Sequence, residues 1–195
     1  MGSREEIVAA AAKVMREQGY AHATTKVIAQ TAGYSEAMLY KHFADKADLF
    51  LSVLGEELPA LRTTIDALTA HPADAALGDN LARLAEVTLA FYVESFPMAV
   101  SLFSSRELLN AHRRRLGEQH GPRLPLEGVV GYLRAEAGLG RIVPDTDLEA
   151  TASLLVGACF QQAFLWSFED KEPTPAELTE QGGRLATALM TGLVS

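Results

Sequence analysis

The sequence predicts an all-α protein, with a small N-terminal helical domain and a larger C-terminal helical bundle. Apolar residues recur at helical spacing along most of the 195 residues, and we find no segment with the alternation of a half-buried strand. Glycine, proline and small capping residues interrupt this pattern where helices should begin or end. A chain of this length buries about 70% of its unfolded surface, so it needs no disulfide or metal to hold a core together.

Cysteine content and hydropathy indicate a cytoplasmic protein. Cys159 is the single cysteine, so it cannot form an internal disulfide, which points to a reducing compartment. The first residues include no apolar segment of the signal-peptide type. Residues 151–168 are apolar and long enough to test as a membrane span, but Gln161 and Gln162 lie near the middle. We therefore interpret this stretch as a buried helix and expect no membrane partner.

Charge is divided unevenly along the chain, whose formal net charge is −8. Residues 1–50 contain six Lys or Arg and six Asp or Glu, whereas the remainder contains 11 basic and 19 acidic residues. Such a division predicts two parts with different partners. Residues 21–46, with three lysines and two histidines against two acids, are the part where a polyanion would be favoured.

The N-terminal part is predicted to contain short helices joined by tight turns. Its first helix should stop at Gly19, in the manner of a C-terminal glycine cap. Thr24 or Thr25 can cap a second helix over residues 26–32, and a glycine turn at residues 33–35 leads into a third over 36–42. Two short helices joined in this way form a helix-turn-helix, here at about residues 24–43. A fourth helix follows, and its predicted cap is the side chain of Asp45.

The amino-acid sequence of the helix-turn-helix segment is distinctive. It contains Thr25-Lys26-Val27-Ile28-Ala29, then Ala32-Gly33-Tyr34-Ser35, then Ala37-Met38-Leu39-Tyr40-Lys41-His42-Phe43. The string closely resembles the DNA-binding domain of TetR/AcrR-family transcriptional regulators, over about residues 4–55. It departs from the family at Ala37, where glycine is usual, and alanine is the better helix former. The resemblance implies a DNA-binding domain at residues 1–55 and an effector-binding and dimerisation domain at residues 56–195.

The resemblance also implies roles for individual side chains. Phosphate contacts are implied for Thr25, Tyr40, His42 and Lys46, and a major-groove position for residues 35–38 and for Lys41. Independently, the carboxylate of Glu36 can accept from a cytosine amine, and Met38 or Ala37 can contact a thymine methyl. The expected DNA contacts are Thr25, Lys26, Ser35, Glu36, Ala37, Met38, Tyr40, Lys41, His42 and Lys46.

Beyond residue 55 the apolar pattern remains helical. Further helices are predicted over residues 77–96, 98–109, 126–137, about 145–168 and about 175–194. Pro97 is expected to close the first of these, because proline lacks the amide donor of a helix interior. The basic run at residues 112–115 is interpreted as a solvated helix face, and Gly138 and Gly140 are expected to stop the helix over residues 126–137.

The last two helices are predicted to form a dimer interface. The earlier one is apolar nearly all round, so it needs cover on two sides, one from the core and one from a second subunit. The family resemblance implies a homodimer joined through four helices, here about residues 148–170 and 175–194. A dimer also suits a helix-turn-helix, which typically reads two half-sites.

An effector site is expected among the aromatic and amide side chains of the C-terminal helices. An aromatic stripe at helical spacing is also typical of an ordinary core, and this alternative stays open. The expected ligand contacts are Phe91, Tyr92, Phe103, His120, Gln161, Gln162 and Trp166. No metal site, cofactor or catalytic residue is predicted, since no metal-like spacing or nucleophile arrangement is found.

Together these features predict a homodimeric transcriptional regulator and not an enzyme. We expect a repressor that a small apolar or aromatic effector releases from a palindromic operator. Two alternatives remain. One is a helical carrier or enzyme that retains the N-terminal domain as a scaffold, and the other is a DNA-binding module without an effector.

Overall fold

The computed structural model describes residues 2–56, 60–103, 106–116 and 121–193, and it is helical across these ranges, with no strand among them. The predicted all-α class is confirmed. In chain order the helices are α1 (Ser3–His22), α2 (Thr25–Thr31), α3 (Glu36–His42), α4 (Lys46–Glu56), α5 (Ala60–Ala70), α6 (Leu77–Phe103), α7 (Arg106–Leu116), α8 (Leu124–Gly138), α9 (Leu148–Phe168) and α10 (Pro175–Leu193). Short 3-10 turns occupy Pro72–Asp74 and Gly121–Arg123.

These helices belong to two compact units. The first unit comprises Met1–Pro59 and Glu94–Gln119, and the second comprises Ala60–Val93 and His120–Ser195. The chain therefore passes from the second unit back into the first within α6. The functional division at residue 55 stays a prediction.

The first unit is built on the apolar face of α1. Ile7, Ala11 and Met15 are fully buried there, and they share the core with Leu39 of α3 and Phe50 of α4. Full burial of an aliphatic or aromatic side chain contributes about 1.5–3 kcal/mol, so a few such residues can hold these short helices in place.

Glycine ends the regular part of α1, as the sequence predicts. Gly19 has a φ of +73°, outside the helical region, and one further turn leads to His22. The next residue, Tyr20, packs its ring against Phe50 with ring centroids 4.9 Å apart. The change of direction at Gly19 thus places Tyr20 in the core of the unit.

The second unit packs α8 and α9 against each other, together with α5, α10 and the first part of α6. Its fully buried side chains include Leu84, Tyr132 and Leu133. Cys159 is also fully buried, and burial raises the pKa of its thiol to about 12. The thiol therefore stays protonated at neutral pH, and the side chain packs as a small apolar group.

Two predictions for the middle of the chain are wrong. Pro97 does not close a helix, because α6 runs unbroken from Leu77 to Phe103 with Pro97 inside it. Apolar burial continues on the far side of the proline, at Leu102, and this contact offsets the lost amide hydrogen bond. Of the helix predicted over residues 98–109, residues 98–103 belong to the end of α6 and residues 106–109 to the start of α7. The basic run lies inside α7, where Arg113 and Arg114 are exposed.

Other boundaries differ by small amounts. The sequence did not separate α5 as an element of its own. The helix expected to begin at residue 126 begins at Leu124, with Pro125 in its first turn, where its missing amide is tolerated. Gly140, with a φ of +71°, follows the end of α8, as predicted.

Candidate nucleic-acid interface

The turn between α2 and α3 is fixed by backbone and capping hydrogen bonds. Thr24, not Thr25, caps α2, since its hydroxyl accepts from the Val27 amide at 3.2 Å. Gly33 adopts a φ of +78°, and the Tyr34 amide then donates to the Ala29 carbonyl at 2.8 Å. Because a non-glycine residue is strained at such a φ, glycine is the residue type that this turn requires.

The helix α3 buries one face and exposes the other. Its N-cap is Ser35, whose hydroxyl accepts from the Met38 amide at 3.3 Å. Leu39 is fully buried, and Phe43 just after the helix is nearly so. The side chains on the other face reach solvent, and Tyr40 is 52% exposed. A short, firmly packed helix with an exposed polar face is the geometry that enters a major groove in helix-turn-helix proteins.

A chain of hydrogen bonds joins α2 to this exposed face. The Thr25 hydroxyl donates to Oε1 of Glu36 at 2.5 Å. The Tyr40 hydroxyl lies 3.3 Å from the same Thr25 oxygen. Three of the predicted DNA contacts, from two helices, therefore lie in direct contact with one another.

Two other predicted contacts are tied to α1 and its C-terminal turn. The Nε2 atom of His42 is 2.9 Å from the Ser3 hydroxyl. Lys46 is half-buried, and its ammonium lies over the Tyr20 ring, 4.4 Å from the centroid, and donates to the Ala21 carbonyl at 3.3 Å. Burial lowers the pKa of Lys46. These contacts direct both side chains while leaving the other two ammonium protons of Lys46 for a further acceptor.

The predicted DNA contacts share one stretch of the first unit and are mostly open to solvent. Thr25, Met38 and Lys46 are half-buried. The exposed members are Lys26, Ser35, Glu36, Ala37, Tyr40, Lys41 and His42. Their roles stay predictions.

Sequence reasoning missed two side chains that position the turn. The Tyr34 hydroxyl donates to the carboxylate of Glu6, which ties the turn to α1, and this hydrogen bond is the main reason why the pKa of Tyr34 is raised. The two residues are 28 positions apart, so no local pattern signals their contact. The Arg4 guanidinium, 5.3 Å from the centre of the Phe43 ring, adds a second contact between α1 and the end of α3.

Part of the predicted effector set forms an aromatic cluster in the second unit. Tyr92 of α6 contacts Phe91 and Phe160 in edge-to-face geometry, with ring centroids 5.2 Å and 5.3 Å away. Burial raises the pKa of Tyr92 to about 12. Both Phe91 and Tyr92 pack against the apolar core, so they contribute to the core in any case.

The remaining predicted effector residues differ in their surroundings. Gln162 is half-buried and accepts from Nε2 of Gln181 at 3.2 Å, whereas Gln161 is exposed. Trp166 is buried in the second unit, and Phe103 is 70% exposed at the end of α6 in the first unit. His120 lies outside the described residues.

A cavity of about 260 Å³ is present at the loop between α8 and α9. It is lined by Ala137, Gly140, Ile142, Val143, Pro144, Asp145, Thr146 and Leu148, none of which belongs to the predicted set.

Across the described ranges, no three His, Cys, Asp or Glu side chains are grouped so that they could hold a metal ion.

The helix α9 has an exposed apolar face opposite its buried one. Large apolar side chains are exposed at five positions, Leu154, Phe160, Phe164, Leu165 and Phe168. Phe168 is 81% exposed and Leu154 is 69% exposed. By length and composition α9 could also cross a membrane, a test that core helices of soluble proteins pass as well. Such a face is typical of a surface that another protein covers.

Comparison with known proteins identifies the N-terminal helices. The family model described as bacterial regulatory proteins, tetR family, matches residues 7–53. The HTH-type transcriptional repressor AcnR of Corynebacterium efficiens is 32% identical over 65 residues, which are 33% of this chain and 35% of that protein. The HTH-type transcriptional activator FasR of Mycolicibacterium smegmatis is 38% identical over 71 residues, 32% of each chain. The chain thus matches about a third of the length of these relatives.

Solved structures share the fold along nearly the whole chain. A protein of Mesorhizobium loti assigned to the TetR family has a TM-score of 0.75 at 21% identity, covering 99% of this chain and 97% of its own. The transcriptional regulator FadR of Bacillus subtilis, solved with stearoyl-CoA, has a TM-score of 0.73 at 19% identity, covering 96% and 98%. The resemblance seen in the sequence is confirmed: residues 7–53 match the model of the tetR family of bacterial regulatory proteins, and the whole chain shares its fold with these solved structures.

Proposed function

We propose that the protein is a transcriptional regulator of the cytoplasm that binds double-stranded operator DNA through residues 1–55. The observation that carries the proposal is the exposed face of α3, where Tyr40 contacts Thr25 of α2 and Lys41 reaches solvent, in a segment that matches the tetR-family model. The proposal assigns no catalytic residue, metal or cofactor.

In the proposed complex α3 lies in the major groove, and the phosphates contact side chains around it. Thr25, Tyr40, His42 and Lys46 bind the backbone, which sets the register of the protein on the duplex. Lys26 and Lys41 add positive charge to this interface, whereas the chain as a whole is acidic. Other docking poses are therefore disfavoured by electrostatic repulsion.

The first experiment is selection from random duplex DNA with purified protein, followed by titration of the enriched duplex across salt. We expect an inverted repeat to be enriched and its affinity to fall steeply as salt rises, because phosphate contacts release bound counterions. If a folded protein enriches no sequence even at low salt, the DNA-binding proposal is wrong. In that case the carrier or enzyme alternative takes its place.

Two substitutions test the phosphate contacts directly. Tyr40→Phe and Lys46→Ala should each weaken binding about tenfold on every duplex alike, because a hydrogen bond to a charged group is worth about 1.5 kcal/mol or more. Lys46→Ala should also reduce the slope of affinity against salt by about one phosphate contact. The matched control is Lys13→Ala, which removes the same charge from an exposed position of α1. Equal losses in the control and in Lys46→Ala would contradict the assignment.

We also propose that a second copy of the chain covers the exposed face of α9, with α10 beside it, at about residues 148–170 and 175–194. Support comes from the five exposed apolar side chains of that face and from the family whose model matches the N-terminal residues. A homodimer presents two copies of α3 to an inverted repeat, which a single copy cannot do.

Charge placed on that face should separate the subunits. Leu154→Glu combined with Phe168→Glu is expected to convert a dimer to a single chain in analytical ultracentrifugation, because a carboxylate loses its hydration in an apolar interface. Arg134→Glu, at an exposed position of α8, is the control and should leave the mass unchanged. A wild-type protein that sediments as a single chain would refute the dimer outright.

We propose that the output is repression, released by an apolar effector in the C-terminal helices. The aromatic cluster around Tyr92 supports an apolar ligand, as does the stearoyl-CoA bound to the structurally similar FadR. Stearoyl-CoA is therefore the first probe to titrate against the operator complex. A DNA-binding module without an effector keeps its operator at every concentration of the apolar compounds tested.

A further inference from the structure

We propose that Glu36 is the base-reading residue of this interface, held in position by Thr25. It selects an operator base that presents an exocyclic amino group in the major groove, either cytosine or adenine. The inference rests on the proposed DNA-binding function and deepens it by naming the chemistry that α3 recognises. Glu36 is exposed and is the only acidic residue of α3.

The direction of the hydrogen bonds follows from the donors available. Thr25 has a single hydroxyl proton, and the contact with Glu36 uses it, since an ionised carboxylate can only accept. Tyr40 must then be the donor in its 3.3 Å contact with Thr25. In the free protein the proton of each hydroxyl is thus turned towards the carboxylate, which is oriented from the α2 side. A phosphate that takes the Tyr40 proton leaves the hydrogen bond from Thr25 to Glu36 in place.

The carboxylate keeps accepting capacity for a ligand. The hydrogen bond from Thr25 reaches Oε1, and within the described part of the chain Oε2 has no partner. A carboxylate offers about four lone-pair positions, so one hydroxyl donor leaves most of them open. A donor on a base edge can therefore be bound without breaking the contact with Thr25.

The four bases differ in the hydrogen-bonding groups that they offer to a carboxylate. In the major groove cytosine and adenine present amino donors, whereas guanine and thymine present carbonyl acceptors. A carboxylate set against an acceptor loses its water and gains no partner, which is costly. Glu36 should therefore favour cytosine or adenine on the strand that it faces, and should disfavour duplexes that lack such a base at that position.

The neighbouring side chains of α3 leave this role to Glu36. Ala37 has no polar group, and Lys41 presents a flexible charge that phosphates also attract. An acid among phosphates is repelled unless it is paired, so Glu36 also reduces binding to unrelated DNA.

The test begins with the duplex that the wild-type protein enriches. Affinities of the wild type and of Glu36→Ala are measured on duplexes carrying each of the four base pairs at every half-site position. We expect the wild type to prefer cytosine or adenine at one position by about tenfold, and the variant to lose the preference at that position alone. Circular dichroism checks that the variant is folded, and Glu17→Ala, at an exposed position of α1, controls for the lost charge.

Modified bases identify the amino group. Replacing cytosine by 2-pyrimidinone, or adenine by purine, removes the amino group and leaves the ring. The wild type should lose about tenfold in affinity on the analogue of the preferred base, and Glu36→Ala should bind both duplexes equally. The analogue that has this effect distinguishes cytosine from adenine.

The positioning role of Thr25 has its own readout. Thr25→Val removes the hydroxyl at nearly constant shape and should reduce the same preference, whereas Thr25→Ser should restore it. Since the Thr25 hydroxyl proton is used by Glu36, the proposed phosphate contact of Thr25 falls to its backbone amide in the first turn of α2, which Thr25→Val retains. The ratio of affinities between base pairs therefore reports on positioning. Equal ratios in Thr25→Val and the wild type would overturn the role of Thr25.

The outcomes separate this inference from the function beneath it. If Glu36→Ala keeps every base preference while its affinity for all duplexes shifts alike, Glu36 is not a base reader and the regulator proposal stands. If the wild type enriches no sequence, the proposed function fails and this inference fails with it.

Discussion

Replacing Arg141 by leucine is expected to lower the free energy of unfolding of the second unit by about 3–5 kcal/mol, because the change leaves a buried carboxylate without its counter-charge. That carboxylate is Glu136 of α8, whose side chain is fully buried. The Nε atom of Arg141 lies 3.3 Å from its Oε2 without the alignment of a hydrogen bond, so the contact is an ion pair.

Arg141 also holds the loop that precedes α6 through two hydrogen bonds. Its Nη1 and Nη2 atoms donate to the carbonyls of Pro72 and Ala75 at 2.8 Å and 2.6 Å. On the other side, Oε1 of Glu136 accepts from the Tyr132 hydroxyl, and this bond, after burial, raises the pKa of that tyrosine. Removing Arg141 therefore takes away the counter-charge of Glu136 and leaves two carbonyls to find other donors.

Denaturant unfolding, followed by the fluorescence of Trp166, measures this effect, because the single tryptophan is buried in the same unit. Arg134→Leu, at an exposed position of α8, is the control and should change the stability by no more than about 0.5 kcal/mol. In a Glu136→Gln background, Arg141→Leu should cost about 2 kcal/mol less, since no buried charge is left behind. Strictly additive losses would contradict the ion-pair explanation.

Gly182→Ala is expected to destabilise the protein by about 1–3 kcal/mol, although alanine is the better helix former. A Cβ atom at this position of α10 would lie 2.9 Å from the Glu86 amide nitrogen and 3.0 Å from the Ala82 carbonyl oxygen of α6. Both are backbone atoms, so no side-chain rotation can relieve the contact. The helix α10 must therefore move away from α6. This movement loosens the packing of Ala186, which is buried one turn further along α10.

The next residue provides a matched control. A Cβ atom at Gly183 meets nothing within 4 Å, so Gly183→Ala should stabilise the protein by about 0.5–1 kcal/mol through helix propensity. The two substitutions are chemically identical and adjacent, and Trp166 fluorescence measures both in the same titration. Stabilisation by both would show that α10 and α6 do not approach as closely as described.

Local chemistry made the N-terminal helices predictable. The positive φ at Gly19 and Gly33 and the cap at Ser35 follow from residue types whose conformational preferences act over a few positions. The failure at Pro97 has the opposite cause. A proline normally ends a helix, but burial of Leu102 beyond it keeps α6 continuous, and burial depends on residues distant in sequence.

The sequence by itself determined the helical class, the helix-turn-helix, the resemblance of its N-terminal residues to the tetR family, and which side chains between residues 25 and 46 are polar enough to contact DNA. Only the tertiary structure decided that Gln161 and not Gln162 faces outward on α9, that Glu136 is buried beside Arg141, and that the Thr25 hydroxyl donates to Glu36. The physical reason is the distance along the sequence over which each kind of interaction acts. Caps, turns and helical periodicity act between residues a few positions apart, whereas burial and side-chain pairing depend on which helices the fold brings together.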